Sequence, residues 1–292
     1  MKKKIIVTAF SNLTTDQRIE KVCKTLHDNG YVIELIGCNY GCNQEVKREY
    51  TVEKINLISK SLKTAYFEFN WKLYQKLLNK SFENTVLLTN DLDTLLPNFL
   101  LSKKKKIPLV FDSHEIFTEM PAIQGKISQK IWRFAENKML PHIEFMMTES
   151  ESYAKWFHEK YNVTPVVVRN IPKKLPLQEK TLTQNPKIIL YQGAINPSRG
   201  IDKAILAMKF IENANLIIVG DGPMRKKYEA FAVSNHLAHK VQFLGKKRPS
   251  ELRTITQKAN VGISLEENNG VSYYYSLPNK VADYIQARVP LV

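Results

Sequence analysis

The sequence predicts an α/β protein made of two doubly wound domains in tandem. Short runs of β-branched residues alternate with stretches in which apolar residues recur at helical spacing, a pattern typical of parallel α/β layers. The alternation breaks over 173–186 and then restarts, and the length of 292 residues is about twice that of an average domain. We therefore predict an N-terminal domain over 1–172, a linker over 173–186 and a C-terminal domain over 187–292.

The N-terminal domain opens with its clearest unit. A strand at 5–7 leads through a polar loop into a helix that Thr15 or Asp16 caps, and Gly30 ends that helix before a strand at 32–36. Further strands are predicted at 85–89, 109–111, 145–148 and 166–168, and helices at 64–80, 92–104, 126–139 and 150–159.

The C-terminal domain repeats the alternation after three prolines in the linker region. Strands are predicted at 188–191, 216–219, 241–244 and 261–264, and helices at 201–210, 224–235, 249–257 and 280–286. The last residues, 290–292, have the pattern of another strand, so we expect this domain to be incomplete. Parallel sheets bind ligands at the carboxyl ends of their strands, and with two sheets the default site is the cleft between them.

The composition limits the class of ligand. The formal net charge is +15 at pH 7, so the surface attracts polyanions such as nucleotide phosphates, anionic lipid headgroups and nucleic acids. No nucleic-acid-binding module is recognisable, and we expect no nucleic acid partner. The densest basic run, 103–106, is interpreted as a solvated loop before a strand rather than as a lipid-binding patch.

Other classes of protein are disfavoured by what the sequence lacks. The three cysteines, Cys23, Cys38 and Cys42, are odd in number and stand at no zinc-site spacing, which disfavours a disulfide framework and a structural zinc. No apolar run approaches the roughly 20 residues of a membrane helix. The apolar part of the N-terminus stops at Phe10, too soon for a signal peptide, and we expect a cytoplasmic protein.

Two stretches of the N-terminal half carry groups that could do chemistry. Asp91 and Asp93 follow a predicted strand in the D-x-D form of a metal site, but helix capping is the favoured interpretation. The stretch V-F-D-S-H-E ends a later strand and sets Asp112, His114 and Glu115 together at a ligand-binding edge. A histidine beside acids is a candidate hydrogen-bond donor or proton carrier, and a structural role is an equal alternative.

The C-terminal half contains two loops suited to anions. The stretch Y-Q-G-A-I-N-P-S-R-G leads from a strand through Gly193 to a helix that opens near Arg199, and a helix N-terminus beside an arginine attracts phosphate. In I-V-G-D-G-P, Gly220 and Gly222 let backbone approach a ligand, although a tight turn also explains them. No G-x-G-x-x-G or P-loop motif is present, so a nicotinamide, flavin or Walker site is unsupported.

The last predicted helix offers a further pair of ligand groups. Lys280 and Asp283 lie one turn apart and share a helix face. They suit a phosphate and a ribose, and a surface salt bridge is the alternative. Before this helix, the run of tyrosines at 273–275 is a candidate for stacking on a base or a sugar.

Together these stretches resemble glycosyltransferase family 4, the retaining enzymes of GT-B fold among the glycosyl transferases of group 1. G-A-I-N-P-S-R-G-I-D, I-V-G-D-G-P and V-Q-F-L-G are similar to the family's donor-binding half, and S-L-P-N-K-V-A-D-Y-I-Q-A-R-V-P-L-V is similar to its nucleotide-binding helix. T-T-D-Q-R-I and P-L-V-F-D-S-H-E are similar to its N-terminal half. The resemblance runs over essentially the whole chain and implies two Rossmann-like domains, the first for the acceptor and the second for a nucleotide-sugar donor.

The resemblance also implies roles for individual residues. Asp283 falls on the second Glu of the family's E-x7-E motif, which holds the ribose, and Arg199 falls on one of two basic residues that bind the diphosphate. His114 falls on the histidine that lies against the transferred sugar. The other candidate positions are Gly193, Gly220, Gly222, Phe243, Lys246, Tyr275 and Lys280 for the donor, and Asp16, Arg18, Asp112 and Glu115 on the acceptor side.

Two positions of the donor site depart from the family pattern. Ala194 replaces the first of the two basic residues, and Lys280 is a candidate substitute. Tyr275 replaces the first Glu of the motif. We expect either that Glu266 or Glu267 takes over its catalytic role from a longer loop, or that the sugar is held differently.

The end of the chain departs from the pattern as well. Arg288 stands where a glycine is usual, and if its φ is positive the arginine costs about 1 kcal/mol of strain. The family continues beyond Val292 with a further strand and a terminal helix, which is a second reason to expect an incomplete domain.

The resemblance therefore implies a glycosyltransferase of hexosyltransferase type. It would move a sugar from a nucleotide-diphosphate sugar to a glycan or lipid-linked acceptor in surface polysaccharide assembly, without a metal or other cofactor. Its basic surface suits a peripheral contact at the inner face of the membrane. The alternatives are a non-catalytic or truncated relative that binds a nucleotide sugar or a partner protein, and a GT-B-fold epimerase acting on the nucleotide sugar.

Overall fold

The computed structural model describes residues 2–14, 16–41, 44–172, 174, 176 and 185–292. The chain divides into two compact units. Unit 1 comprises Met1–Glu119 with Gly125–Arg169, and unit 2 comprises Met120–Gln124 with Asn170–Val292. Thr15, Cys42 and most of the predicted linker lie outside the described residues.

Unit 1 is built on one parallel sheet. Its strands are β1 (Lys4–Thr8), β2 (Val32–Cys38), β3 (Thr51–Ile55), β4 (Thr85–Asn90), β5 (Leu109–Ser113), β6 (Phe145–Thr148) and β7 (Val166–Val167). They lie in the order β3-β2-β1-β4-β5-β6-β7, and each adjacent pair is parallel. The helices are α1 (Gln17–Asp28), α2 (Leu62–Leu78), α3 (Leu92–Lys105), α4 (Ile127–Met139) and α5 (Glu151–Tyr161), with 3₁₀ turns at Phe117–Glu119 and Leu140–His142.

Local sequence explains most of these elements. It also explains two differences between the observed and the predicted elements. The Asp16 carboxylate caps α1 by accepting a hydrogen bond from the Ile19 N–H at 3.2 Å. The sequence reading missed β3, because Thr51–Ile55 carries polar residues on an edge strand. The loop expected at 103–106 is wrong: Lys103–Lys105 form the last turn of α3, where cations favour the helix dipole.

Unit 2 has a smaller parallel sheet of the order β10-β9-β8-β11. Its strands are β8 (Lys187–Gln192), β9 (Ala214–Val219), β10 (Val241–Gly245) and β11 (Val261–Gly262), and its helices are α6 (Ile201–Ala207), α7 (Arg225–Ser234), α8 (Pro249–Lys258), α9 (Val271–Tyr274) and α10 (Asn279–Gln286). The last residues pair beside β11, since the Gly262 N–H donates to the Pro290 carbonyl at 2.8 Å. Buried apolar side chains cover both faces of this sheet.

None of the helices in the described part of the chain is long and apolar enough to cross a bilayer. Any membrane contact argued from these residues therefore concerns the surface of the protein.

The C-terminus of α10 tests the expectation about Arg288. The Val289 N–H donates to the Tyr284 carbonyl at 2.9 Å and the Arg288 N–H to the Ile285 carbonyl at 3.1 Å, which is a Schellman motif. Arg288 has a φ of 54°, so it stands in the left-handed position that glycine normally fills. The φ of Arg288 is therefore positive, as strain at this position requires. A Cβ in this conformation lowers the stability of the folded state by about 1 kcal/mol.

We predict that Arg288→Gly is more stable than Arg288→Ala by about 1 kcal/mol. Both substitutions remove the guanidinium, so the comparison isolates the Cβ in the left-handed conformation. Urea unfolding followed by circular dichroism measures the difference, and equal midpoints for the two variants would contradict the assignment of strain.

Candidate active site

The first cluster of candidate residues lies at the carboxyl edge of the sheet of unit 1. Asn90 ends β4, Asp91 follows it, and Asp112 lies in β5. His114 comes directly after β5, and Glu149 directly after β6. Because these strands are neighbours and parallel, their carboxyl ends bring the side chains together.

Both ring nitrogens of His114 face oxygen acceptors. Nδ1 lies 3.2 Å from Oδ2 of Asp91, and Nε2 lies 3.4 Å from Oδ2 of Asp112 and 3.2 Å from Oδ1 of Asn90. Burial alone lowers the pKa of His114, but the charge of Asp91 and the hydrogen bond to Asp112 outweigh it and raise the pKa to about 9. The ring is therefore held as an imidazolium, which suits hydrogen-bond donation and charge stabilisation rather than general-base chemistry.

Asp112 joins this histidine to Arg18. The Arg18 Nη2 donates to Oδ1 of Asp112 at 2.6 Å and Nε donates to Oδ2 at 3.3 Å, a two-pronged contact between fully buried groups. Burial raises the pKa of Asp112, but the His114 hydrogen bond and charge together with Arg18 more than offset it and lower the pKa. Arg18, Asp112 and His114 thus form one rigid charged network, and the structure brings these three predicted positions together.

Asp91 is a site residue that the sequence reading assigned wrongly. It stands at the N-cap position of α3 but makes no side-chain capping hydrogen bond. Its Oδ1 instead accepts a hydrogen bond from the His114 N–H at 2.8 Å. Its backbone has φ 58° and ψ 166°, a region that is essentially restricted to glycine and costs about 1–3 kcal/mol. Strained backbone conformations of this kind are typical of functional sites, and here the strained residue hydrogen-bonds a histidine.

Asp16 and Glu115 are the remaining predicted site residues of unit 1. The Asp16 carboxylate is engaged in capping α1, and Glu115 accepts a hydrogen bond from Ser113 Oγ through its backbone carbonyl at 2.8 Å. Glu149, which the sequence reading missed, lies 3.9 Å from Nη1 of Arg18. Burial raises the pKa of Glu149 to about 7.

We predict that Asp91→Asn lowers the pKa of His114. The pKa of about 9 exceeds the ordinary value of 6.5, so the charge on His114 stabilises the folded state fully below pH 6.5, and this contribution is lost as the pH rises through about 9. The variant should therefore lose less stability than the parent over this pH window.

Histidine-selective NMR titration and melting temperatures measured from pH 6 to 10 test this prediction. Asp28→Asn is the matched control, because Oδ1 of Asp28 lies 3.9 Å from Nδ1 of another histidine, the half-buried His27. An unchanged pKa of His114 in Asp91→Asn would remove Asp91 from the network.

The second cluster lies in unit 2 and centres on Glu266. Its Oε1 accepts hydrogen bonds from Arg199 Nη1 at 3.1 Å and from Lys280 Nζ, and its Oε2 accepts one from Ser264 Oγ at 2.6 Å. Burial raises the pKa of Glu266, but the charge of Lys280 and the surrounding hydrogen bonds lower it overall. Two cations and one carboxylate are therefore held together, with Lys280 buried and with Arg199 and Glu266 partly buried.

Aromatic rings support both cations. The guanidinium carbon Cζ of Arg199 lies 4.2 Å from the ring centroid of Tyr273. Nζ of Lys280 lies 4.4 Å from the ring centroid of Tyr191. Both are cation–π contacts. Among the residues that the structure describes, the buried Nε of Arg199 has no hydrogen-bond partner. A buried guanidinium N–H without an acceptor is costly, and an anionic ligand would supply the acceptor.

Glycines shape the loops that follow β8 and β9. A Cβ on Gly220 would lie 1.8 Å from the Gly193 carbonyl oxygen, and one on Gly222 would lie 2.5 Å from the Ile195 carbonyl oxygen. Both glycines are therefore required for the packing of the two loops on each other. Gly193 has a φ of 135° and only the Tyr191 hydroxyl near its Cβ position, at 3.8 Å, so it is the glycine of the three that leaves space for a ligand.

The surface salt bridge considered between Lys280 and Asp283 is wrong. Lys280 bonds Glu266, whereas Oδ2 of Asp283 accepts a hydrogen bond from Gln192 Nε2 at 2.8 Å. Gln192 is buried and its Oε1 accepts from Thr256 Oγ1 at 2.7 Å, which fixes the amide orientation. Gln192 is a positioning residue that the sequence reading missed, because a single glutamine at a strand end gives no distinctive pattern.

The other predicted donor residues make contacts of a different kind. Glu267 pairs with Lys203 at 2.7 Å, so of the two adjacent acids it is Glu266 that joins Arg199. Tyr275 meets Tyr274 in an edge-to-face contact with ring centroids 5.1 Å apart. Phe243 packs against the core of unit 2, and Lys246 is exposed just after β10.

Among the described residues, one group of three side chains is close enough to share a metal ion: His27, Asp28 and Glu49. The Lys24 ammonium bonds both acids, at 3.2 and 3.1 Å, and offsets one of their two negative charges. This group stands on the surface around the C-terminus of α1, away from the His114 network.

The fold places the chain in the GT-B class. The structure aligns with a sucrose-phosphate synthase from Thermosynechococcus elongatus at a TM-score of 0.79, with 15% identity over 99% of this chain and 80% of that chain. It also aligns with Anabaena HepE in complex with UDP-glucose at a TM-score of 0.72, with 14% identity over 99% and 79% of the two chains. At this level of identity the likeness shows the fold, and the predicted GT-B fold is confirmed.

The family assignment rests on the C-terminal part of the chain. Residues 174–273 match the model of glycosyl transferases group 1, which confirms the predicted resemblance over this region. An uncharacterised glycosyltransferase of Methanocaldococcus jannaschii is 38% identical over 71 residues, which is 24% of this chain. The match spans 20% of the length of that relative.

Proposed function

We propose that this protein is a retaining glycosyltransferase that moves a sugar from a nucleotide-diphosphate donor to a glycan or lipid-linked acceptor. The observation that carries the proposal is the cluster of Arg199, Lys280 and Glu266, in which the buried Nε of Arg199 has no hydrogen-bond partner in the part of the chain that the structure describes. Such a cluster suits a diphosphate, because two preoriented cations can compensate the charge that develops on the leaving group.

The proposed reaction uses these cations in the transition state. As the bond between the sugar and the diphosphate breaks, negative charge grows on the diphosphate, and Arg199 and Lys280 would donate hydrogen bonds to it. Fixed donors of this kind supply several kcal/mol without reorganisation. The acceptor hydroxyl would attack the oxocarbenium-like sugar from the face that the diphosphate leaves, which retains the anomeric configuration.

The residues of unit 1 would act on the sugar side of the reaction. Following the resemblance, we assign His114 to the transferred sugar, where an imidazolium can donate a hydrogen bond to a hydroxyl. The carboxylates of Asp91 and Asp112 favour the charged form of His114 by raising its pKa, and Arg18 fixes the orientation of Asp112. We propose that no metal ion is required, since cationic side chains take the place that a metal has in other nucleotide-sugar enzymes.

Thermal unfolding against UDP, GDP, ADP and CMP, each with a divalent cation or with EDTA, tests the donor site. A ligand at 100 times its dissociation constant adds about 2.7 kcal/mol to the stability of the folded state. We expect a shift with one nucleoside diphosphate that EDTA leaves unchanged. A shift that requires the cation would contradict metal independence, and no shift at all would contradict the donor site.

Sugar release in the absence of an acceptor separates transfer from reactions on the donor alone. A transferase should convert the donor rapidly only when an acceptor glycan is added. Conversion of the sugar epimer without any acceptor would identify an epimerase instead. Donor binding without turnover under either condition would identify a non-catalytic relative.

We predict that Asp283→Ala weakens binding of the nucleoside diphosphate by about 1.5–3 kcal/mol, the scale of a hydrogen bond to a charged group. The physical reason is that Asp283, held by Gln192, accepts hydrogen bonds from ribose hydroxyls. A dideoxyribose analogue of the same nucleotide lacks these hydroxyls, and its affinity should be insensitive to the substitution.

Isothermal calorimetry measures both ligands, with Glu212→Ala as a control because Glu212 is an exposed acid of the same unit. Equal affinity of Asp283→Ala and the parent for the complete nucleotide would refute the ribose contact.

A further inference from the structure

A cavity of about 330 Å³ lies at the amino edge of the sheet of unit 1. It is bounded by the end of α3 and by the residues with which β5 and β6 begin, Leu109 and Phe145. The His114 network follows the carboxyl ends of the sheet, so the cavity is a separate feature of this unit. Its volume is at the lower end of the range of small-molecule sites, roughly 300–1,000 Å³. We call it the amino-edge cavity.

Apolar and aromatic side chains line much of the amino-edge cavity. Ile107, Leu109 and Ile143 line it and are buried. The ring of Phe99 is half-buried, and Phe145 is 50% exposed. A flat apolar ligand that packs against these rings removes apolar surface from water on both partners. The cavity is therefore suited to a ligand that contains a ring.

Lysines give the cavity a positive rim. Lys103 and Lys106 both line it, and both are exposed. The Lys103 ammonium lies 5.5 Å from the ring centroid of Phe99. Within the part of the chain that the structure describes, neither lysine forms an ion pair, and Glu144 is the one acid that lines the cavity. Two cations therefore face one carboxylate, which favours an anionic ligand.

The end of α3 does not cancel this attraction. A helix C-terminus carries a partial negative charge, equivalent to about half an elementary charge, on its last carbonyl groups. Here the Ser102 carbonyl accepts hydrogen bonds from the N–H groups of Lys106 and Ile107, the second at 3.1 Å. Ser102 Oγ donates to the Ile107 carbonyl at 2.6 Å. These carbonyl oxygens are paired, and the two lysines exceed the combined charge of the helix end and Glu144.

We propose that the amino-edge cavity binds a small aromatic anion, an aromatic carboxylate or phosphate, with its ring against Phe99 and Phe145 and its charged group at Lys103 and Lys106. A neutral ring would leave both lysines without a counter-charge, and an anion without a ring would leave the phenylalanines in water. This binding goes beyond the proposed sugar transfer and requires neither the donor nor the acceptor.

Fluorine NMR with para-(trifluoromethyl)benzoate as the probe tests the proposal, because binding to the protein broadens the signal of a small molecule. We expect saturable binding to the parent. The neutral amide, para-(trifluoromethyl)benzamide, should bind about fivefold more weakly or worse, because it forms no ion pair with the lysines. The saturated analogue, para-(trifluoromethyl)cyclohexanecarboxylate, should bind about threefold more weakly or worse, because it has no π-face.

Substitution of the lysines tests the charged rim. Lys103→Met with Lys106→Met should lower the affinity for the benzoate by about fivefold or more and leave the affinity for the benzamide unchanged. Lys104→Met with Lys105→Met is the matched control, because these exposed lysines of the same helix end do not line the cavity. The control pair makes the same change in net charge and should bind the benzoate like the parent.

Substitution of a phenylalanine tests the aromatic wall. Phe99→Leu keeps an apolar side chain and removes the ring, so it should lower the affinity for the benzoate by about threefold or more. Phe67→Leu is the matched control, because Phe67 lies on α2, is 79% exposed and does not line the cavity. Circular dichroism should show that all four variants are folded.

Four results would overturn the proposal. The parent could fail to bind the benzoate, or it could bind the benzamide equally well. The pair Lys104→Met and Lys105→Met could weaken binding as much as the cavity pair does, which would show nonspecific attraction to the basic run. Arg199→Met with Lys280→Met could abolish a binding that the cavity variants retain, which would place the probe at the donor cluster. The thermal shift with the nucleoside diphosphate is measured on the same variants, so failure of the cavity and failure of the donor site are distinguished.

Discussion

His114→Ala is expected to lower the turnover number of sugar transfer by about 100-fold or more, the scale of losing a positioned proton or charge stabiliser. In the structure both ring nitrogens of His114 face acceptors, and its pKa is raised to about 9. The alanine variant removes this fixed positive charge and leaves Asp91 and Asp112 facing the site. Arg18 still pairs with Asp112 in this variant, but the Asp91 carboxylate loses its cationic partner and opposes the electron-rich groups of a sugar and its leaving group.

Steady-state kinetics with saturating donor and acceptor measure this effect. The loss should fall on the turnover number, because a charge stabiliser acts mainly in the transition state. His239→Ala is the control, since His239 is an exposed histidine of unit 2 and should leave the rate unchanged. A parental rate in His114→Ala would remove this residue from the site, and a rise in KM alone would limit it to ground-state binding.

The alternating strands and helices were predictable wherever hydrophobic periodicity was strong. The strands β1 and β4 at the centre of the sheet of unit 1 contain continuous apolar runs. Such runs are typical of strands that are buried on both faces of a parallel sheet. The edge strand β3 has two adjacent charged residues, Glu53 and Lys54, no regular alternation, and a single neighbouring strand. Its formation depends on the adjacent strand more than on its own residues, so the sequence alone does not indicate it.

The partners of the charged residues were harder to predict than the residues themselves. Glu266 and Glu267 are adjacent in a loop, and neighbouring side chains of an extended chain point to opposite sides, so spacing cannot choose between them. The structure makes the choice by placing Glu266 against Arg199 and Lys280, and Glu267 against Lys203.

The backbone conformation of Asp91 could not be predicted from the sequence either. Its sequence context, a strand followed by D-x-D and a helix, is that of an ordinary capping residue. The side chain reaches His114 because the backbone adopts φ 58° and ψ 166°. A strained conformation of this kind is imposed by the surrounding structure, and the identity of the residue does not reveal it.

The combined substitution Arg199→Met and Lys280→Met is expected to weaken binding of the nucleoside diphosphate by about 100-fold or more. Each cation that hydrogen-bonds a phosphate contributes about 1.5–3 kcal/mol. Methionine keeps much of the apolar volume of each side chain, so the contacts with Tyr273 and Tyr191 are partly retained. Lys203→Met is the matched control, because Lys203 pairs with Glu267 rather than with Glu266.

Calorimetry on the parent, both single variants and the double variant completes a double-mutant cycle. The two losses should not be additive, because Arg199 and Lys280 share one oxygen of Glu266 and the removal of either changes the pairing of the other. Either single variant leaves Glu266 paired with the remaining cation, whereas the double variant leaves a carboxylate that repels the diphosphate. Parental affinity in the double variant would show that the nucleotide binds elsewhere in the chain, and strictly additive losses would show that Glu266 does not couple the two cations.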